Sequence, residues 1–418
     1  MLARGAGALA NREFRIYTIG NGLSSVGLWV QRLAIAWLAW DLSHSSLWVG
    51  LIAFSLFGPV LFLSPLFGVL VDRLEPIRTS AIINGLMAGW ATLLALLSLA
   101  GLLNVQLLFA VTMMIGVTSA AYAPIRISII PSLVPREMVP SAIGISSTIF
   151  NASRLIGPAI AGALLVTLPI ASAFLVNAIS YGPLIYALAI APSRPVAQRA
   201  REPFFGQLAE GFAYAASHPF IRLQLLLTAW NGLFGRSILE MLPVYSDRLY
   251  SAGTNGLAIL SAVAGAGALA AAFGASRLHL NSRQLQIGSV VLSGLNAIAL
   301  LTLPISDSFW VGLPCIAVIG FGATGSAVLS QTLVQMEVED RVRGRISSLW
   351  GMAGLGGSAF GGLLLGAALG ILSVPAATFA SACIALIAPA LALGSIRRSR
   401  SDVHWPKPDA EQPFPEVD

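Results

Sequence analysis

The chain has 418 residues, of which 56% are apolar and 10% charged, and its mean hydropathy is +0.81. A soluble domain carries about 25% charge because its surface must be solvated, so an ordinary soluble enzyme is excluded. The formal net charge of +6 is an excess of arginine, Lys407 being the one lysine, and since no basic block alternates with aromatics, nucleic acid is not expected as a partner.

A spanning helix needs roughly 20 apolar residues. Apolar runs bounded by charge, Pro or Gly predict spans over 16–40, 47–71, 80–100, 105–125, 139–165 and 171–192. A second set follows over 220–244, 253–275, 285–304, 308–334, 343–368 and 372–395. The residues through Arg15 hold three arginines and no cleavage pattern, so the first run is expected to stay as a permanent span.

With the N-terminus inside, the connections hold nineteen arginines on the inner side and Arg248 alone on the outer side. Arg32, Arg154 and Arg236 fall within spans. The positive-inside bias therefore predicts twelve spans with both termini cytoplasmic.

Residues 1–192 are read as one six-helix half and 220–395 as the other. The connection 193–219 is expected to be a cytoplasmic linker, in which Phe204, Phe205, Leu208, Phe212 and Ala215 recur at the spacing of an amphipathic surface helix. The polar, Pro-punctuated tail 396–418 is expected to be disordered.

Sliding the chain by 204 residues lays Arg32 over Arg236, Arg73 over Arg277, Gly157 over Gly361 and Gly162 over Gly366. Arginine over arginine at mid-span is informative because intramembrane arginines are rare. The predicted fold class is an all-α integral membrane protein of twelve helices in two pseudo-symmetric six-helix halves.

Cys315 and Cys383 lie in apolar runs with no thiol or histidine at ligand spacing, so neither a disulfide framework, a metal site nor a cofactor is expected. The chain holds no phosphate-cradling Gly-x-x-x-x-Gly-Lys-Ser/Thr sequence and no intramembrane hydrolytic cluster. It is not read as an enzyme.

The second and third spans are joined by Gly68-Val-Leu-Val-Asp72-Arg73, with Arg78 following and Glu75-Pro76 between. This loop resembles the signature Gly-x-x-x-Asp-Arg of the major facilitator superfamily, except that Glu75 and Pro76 replace the usual glycine and first basic residue. The passage Asn151-Ala-Ser-Arg154-Leu-Ile-Gly157-Pro158-Ala-Ile-Ala-Gly162 resembles the fifth-span Gly-Pro motif of the superfamily's exporters.

Together with Ala123-Pro124-Ile-Arg126, Pro135-Arg136-Glu137 and Arg343-Gly344-Arg345, these passages are similar to a bacterial subgroup that includes exporters of siderophores such as enterobactin. The resemblance implies the superfamily's fold, a multi-pass protein of the bacterial plasma (inner) membrane, and alternating access. It also implies a gate of Gly68, Asp72, Arg73 and Arg78, in which Asp72 meets the N-terminus of the eleventh span near Val342 to Arg345.

The intramembrane ionisable set is Arg32, Arg154, Arg236 and Glu240, with Asp41 near the outer end of the first span. A bare charge at mid-bilayer costs several kcal/mol, so each must meet a partner or a wet cavity. Arg236 and Glu240 stand four apart, the spacing of an ion pair on one helical face, and a functional role for them is the alternative of equal weight. If they pair, Arg32 and Arg154 leave a positive surplus suited to carboxylate, phosphate or catecholate.

Gln31, Asn151 and Asn231 stand either as substrate contacts or as amides that glue helices together. With His44, His218, His279 and His404 all at span ends, Glu240 and Asp41 are the candidates for proton coupling. Gly157 and Gly162 with Pro158, and Gly361, Gly362 and Gly366, form small faces for close helix packing. Trp29, Trp37, Trp40, Trp48 and Trp310 are read first as interfacial belt and packing, with Trp29 standing deeper, so that lining a cavity for a ring-bearing cargo is its alternative role.

The function read from this pattern is proton-coupled efflux of an anionic or amphiphilic small organic molecule by a single chain in the lipid bilayer. The alternatives are a broad-specificity multidrug exporter of the same fold and, in a different class, a non-transporting scaffold.

Overall fold

The computed structural model describes residues 7–71, 74–191, 204–278, 280–305, 307–339 and 342–398. Its first six long helices are α1 (Arg12–Ser43), α2 (Ser46–Val71), α3 (Pro76–Leu99), α4 (Val105–Leu133), α5 (Val139–Thr167) and α6 (Ala171–Ile190). A short helix, α7 (Phe204–Ser217), precedes the second set.

The seventh crossing is broken. It begins as α8 (Pro219–Trp230), passes through a π-helical run at Asn231–Arg236 and a 3-10 turn at Ser237–Glu240, and ends as α9 (Leu242–Val244) and a second π run at Tyr245–Leu249. Then come α10 (Gly253–Arg277), α11 (Ser282–Thr302), α12 (Phe309–Glu337), α13 (Arg343–Ile371) and α14 (Val374–Arg398).

Ten of these helices are long and apolar enough to cross a membrane by themselves. The helix α1, interrupted by Asn21, Gln31 and Arg32, and the broken seventh run complete the twelve. Local chemistry sets the ends. Asn11 caps α1 by accepting from the backbone N–H of Phe14, and Glu75 caps α3 from Arg78 with Pro76 in its first turn. The Glu75-Pro76 departure in the loop is thus a helix start.

Each packing in the first half has a counterpart in the second. α1 lies on α5 and α6 as the seventh run lies on α13 and α14. α2 packs on α4 and α3 on α6, as α10 packs on α12 and α11 on α14. The halves meet through α2 against α13 and α5 against α10.

Small residues allow these approaches. A side chain at Gly366 would meet the backbone of Ser46 and Gly50, and one at Gly162 would meet Ala258. Buried polar pairs such as Ser55–Thr112 at 2.7 Å and Tyr245–Thr378 at 2.6 Å lock helices where no water competes. Large apolar side chains such as Ile179, Ile371 and Leu391 point outward and are exposed, as a lipid-facing surface requires.

One end of the bundle carries His44 and, among the described residues, Arg248 as its one arginine. Arg12, Arg78, Arg222, Arg277, Arg283 and Arg343 stand at the opposite, arginine-rich end.

Candidate functional site

A cavity of about 110 Å³ lies where the two halves face each other. Its walls come from α1 (Trp29, Arg32, Leu33, Ala36), α5 (Arg154, Pro158), the broken seventh run (Arg236, Leu239, Glu240, Leu242) and α10 (Ser261, Ala264, Gly265, Ala268). All four intramembrane ionisable residues singled out in the sequence therefore share one space.

Their pairing differs from the expected one. Glu240 binds Arg32 across the halves, with one guanidinium nitrogen donating to both carboxylate oxygens at 2.8 and 2.9 Å. Arg236 makes no ion pair or hydrogen bond with a described residue. The reason lies in the backbone: Arg236 ends a π run and Glu240 closes a 3-10 turn. Four residues at three per turn separate their directions by about 120°, against about 40° in a regular α-helix. Irregular backbone at membrane depth is tolerated where it lines a cavity, and here it aims the glutamate away from its own helix.

Arg32 is also flanked by aromatic faces, its guanidinium carbon lying 4.7 Å from the Trp29 ring centre and 4.3 Å from that of Phe57. Arg154 lies 5.5 Å from the same Trp29 ring and has no ion pair among the described residues. These contacts keep charge in an apolar wall by cation–π attraction, worth about 2 kcal/mol or more when desolvated. Trp29 is thus a cavity residue and not part of an interfacial belt. Trp310 is 76% exposed, as a belt residue would be, whereas Trp40 is 2% exposed and buried.

The amides divide from the arginines. Gln31 is buried and accepts a 2.8 Å hydrogen bond from Asn177 in α6. Asn231 donates to the carbonyl of Ala323 and accepts from Asn296 at 3.0 Å. Both are occupied in holding neighbouring helices and neither lines the cavity, so the geometry favours glue over substrate contact. The Asn151 side chain lies outside what is described.

Asp41 is exposed at the end of α1, away from the cavity. Of the loop motif, Asp72 and Arg73 lie outside the described residues, Gly68 lies in α2 with its surroundings undescribed, and Arg78 is exposed in the first turn of α3. The helix expected to receive Asp72, α13, begins at Arg343.

Among the predicted packing residues, Gly157 faces Trp29 and Val26 of α1, with Pro158 beside it on the cavity wall, and Gly361 faces the backbone of Gly232 and Leu233. Gly362 sits in ordinary contact with Ala53 and Glu240.

A second cross-half network escaped sequence reading. At the His44 end, the Trp40 indole donates to Asp247 at 3.0 Å. Arg248 donates to the carbonyls of His44 and Leu369 at 3.1 and 3.2 Å, and its guanidinium lies 4.8 Å from the Trp40 ring centre. The Ser46 hydroxyl donates to the Gly366 carbonyl at 2.8 Å. In the sequence Arg248 stood out only as an outer loop charge, and no local pattern links it to residues about two hundred positions away.

Comparison with known proteins adds independent findings. The profile of a family described as transmembrane secretion effector matches residues 4–417. An uncharacterised MFS-type transporter of Bacillus subtilis, YfiS, is 29% identical over 82% of this chain and 84% of its own length. The enterobactin exporter EntS of Escherichia coli is 26% identical over 90% of this chain and 89% of its own. A solved bacterial homologue of the iron transporter ferroportin, in an inward-facing state, superposes with a TM-score of 0.71 at 18% identity, covering 94% of this chain and 99% of that one.

Proposed function

The chain belongs to the transmembrane secretion effector family of the major facilitator superfamily, and on that premise we propose that this membrane transporter exports an anionic or amphiphilic small organic molecule by alternating access, driven by proton entry. The observation that carries the reading is the cavity between the halves, where, among the described residues, Arg154 and Arg236 stand without acidic partners while Glu240 bridges to Arg32. Guanidinium offers a planar fork for carboxylate or catecholate oxygens, and a siderophore is such a cargo. The similarity to an enterobactin exporter supports both the direction and this class of cargo.

At about 110 Å³ the cavity is smaller than the 300–1,000 Å³ pockets that hold drug-sized ligands. Cargo therefore needs the halves to separate. In this reading residues 1–192 and 220–395 rock against each other, 193–219 joins them, and the arginine-rich end with both termini faces the cytoplasm of a bacterial inner membrane.

Glu240 is the proton-coupling residue of the proposal: neutralised by a proton, it releases Arg32 and with it the tie between the halves. Asp41 stands too far from the cavity to share that role. The gate of Gly68, Asp72, Arg73 and Arg78 stays part of the proposal as the lock of the arginine-rich end.

The test is flux in proteoliposomes under imposed pH gradients, offered catecholates, other organic anions and cationic dyes. Organic-anion flux that follows the proton gradient, and loses that dependence in Glu240→Gln, is expected. Flux confined to cationic dyes overturns the cargo, and unchanged proton dependence in Glu240→Gln overturns the role of that residue.

A further inference from the structure

The cavity wall holds three arginines and, among the described residues, one acid. Guanidinium does not deprotonate in proteins, so the wall carries a formal surplus of two positive charges with Glu240 ionised and three with it protonated. Arg32 is neutralised by Glu240. Among the described residues Arg154 and Arg236 have no such partner: Asp247 accepts from Trp40, and Asp41 is exposed at the His44 end.

Two guanidiniums facing one small apolar-walled space attract an anion, and the space has a size. At about 110 Å³ it falls well below the pockets of 300–1,000 Å³ that hold drug-sized ligands. That is too little for a siderophore or a drug, and enough for a halide or a tetrahedral oxyanion with a water or two. Trp29 and Ser261 on the same wall each carry a donor without a partner in the structure, the indole Nε1 and the hydroxyl, and Ser261 is only 8% exposed. Charge, volume and spare donors agree on the kind of occupant.

We propose that this cavity is a binding site for a small inorganic anion, held between Arg154 and Arg236 as the counter-ion of the compact state and displaced when the acid group of the cargo takes the same guanidiniums. The displacement rests on the transport reading above; the ion site itself does not. An exporter built this way releases one inorganic anion into the cavity mouth for each cargo acid that binds, so the two compete.

The experiment is equilibrium dialysis of the full purified chain, prepared in a zwitterionic buffer free of chloride, phosphate and organic acids, against radiolabelled chloride and separately against radiolabelled inorganic phosphate. Saturable binding of at least one ion is expected, and the two arms tell a halide site from an oxyanion site. Arg154→Gln and Arg236→Gln should each abolish it, while Arg154→Lys and Arg236→Lys, which keep the charge, should retain it. Glu240→Gln removes the competing acid and should tighten binding by tenfold or more.

No saturable binding of either ion to the parent chain overturns the proposal. So does binding that the glutamine variants leave unchanged. Should those variants fail to fold, the Glu240→Gln arm decides, because affinity equal to the parent's also overturns it. Organic-anion flux without ion binding ends the counter-ion proposal and leaves the transport reading standing. Ion binding with flux of cationic dyes alone does the reverse.

Discussion

Glu240 has a mate in the first half. The 204-residue offset that lays Arg32 over Arg236 lays Ala36 over Glu240, and Ala36 also lines the cavity. Position 36 stands four residues after Arg32 in the unbroken helix α1, so a glutamate there would put a second acid on the same wall, within reach of Arg32. Ala36→Glu therefore lowers the cavity's surplus from two positive charges to one.

The magnitude follows from the cavity's size. A space of about 110 Å³ is roughly 6 Å across, and one unit charge removed at that range, with an effective dielectric constant of about 20, changes the energy of a bound monovalent anion by about 3 kcal/mol. Solvent reaching the half-buried wall reduces this to about 2 kcal/mol, so affinity should fall roughly 30-fold. The assay is the same dialysis against chloride and phosphate, with Ala36→Gln as a neutral control of equal bulk. A folded Ala36→Glu chain that binds as tightly as the parent refutes the charge argument, and so does an Ala36→Gln chain that weakens binding equally.

Three further outcomes are expected. Gly361→Ala puts a methyl group 2.8 Å from the Gly232 carbonyl and against the carbonyl of Leu233, backbone that cannot swing aside. It should cost about 1–3 kcal/mol, read as a lower melting temperature, whereas Gly89→Ala, with nothing within 4 Å of the added carbon, should not destabilise the chain. Gln31→Leu leaves the Asn177 amide without its acceptor, an expected stability loss of about 1–3 kcal/mol with cargo preference unchanged; altered preference would return Gln31 to the binding wall. Arg248→Ala removes donors shared by the carbonyls of His44 and Leu369. In a chain lacking Cys315 and Cys383, it should speed labelling of an introduced Ala36→Cys thiol from the His44 side, and an equal rate would show that the network is no latch.

The crossing segments were legible because each apolar run is bounded by arginine, proline or glycine, and that boundary is local. α4 runs on to Leu133, past the expected end at 125, because Pro124 and Pro131 are accommodated inside the helix. What local pattern does not carry is backbone period. The residues 220–244 read as a uniform span, yet the change from π to 3-10 geometry around Arg236 turns Glu240 toward Arg32 and defeats the i, i+4 rule. Nor does it carry distant partners. Gln31 and Asn177, or Trp40 and Asp247, meet only through the tertiary packing of helices far apart in the chain.

The repeat is written more fully in contacts than in residues. Gly157 packs on Trp29, and its counterpart Gly361 packs on Leu233, which is Trp29's own counterpart. Gly162 approaches Ala258 across the halves as Gly366 approaches Ser46 and Gly50. The cavity charges repeat only in part: Arg32 stands over Arg236, but Arg154 stands over Ser358, and Glu240 over Ala36. Rocking between two facings needs two halves that pack alike, so that neither facing is favoured by the scaffold itself. Recognition needs the opposite, because a cavity of twofold symmetric charge would give an asymmetric organic acid two equivalent poses and no single place for its anionic end. The one acid that ties Arg32 and spares Arg236 breaks that equivalence, and it is carried on the one crossing whose helix is broken.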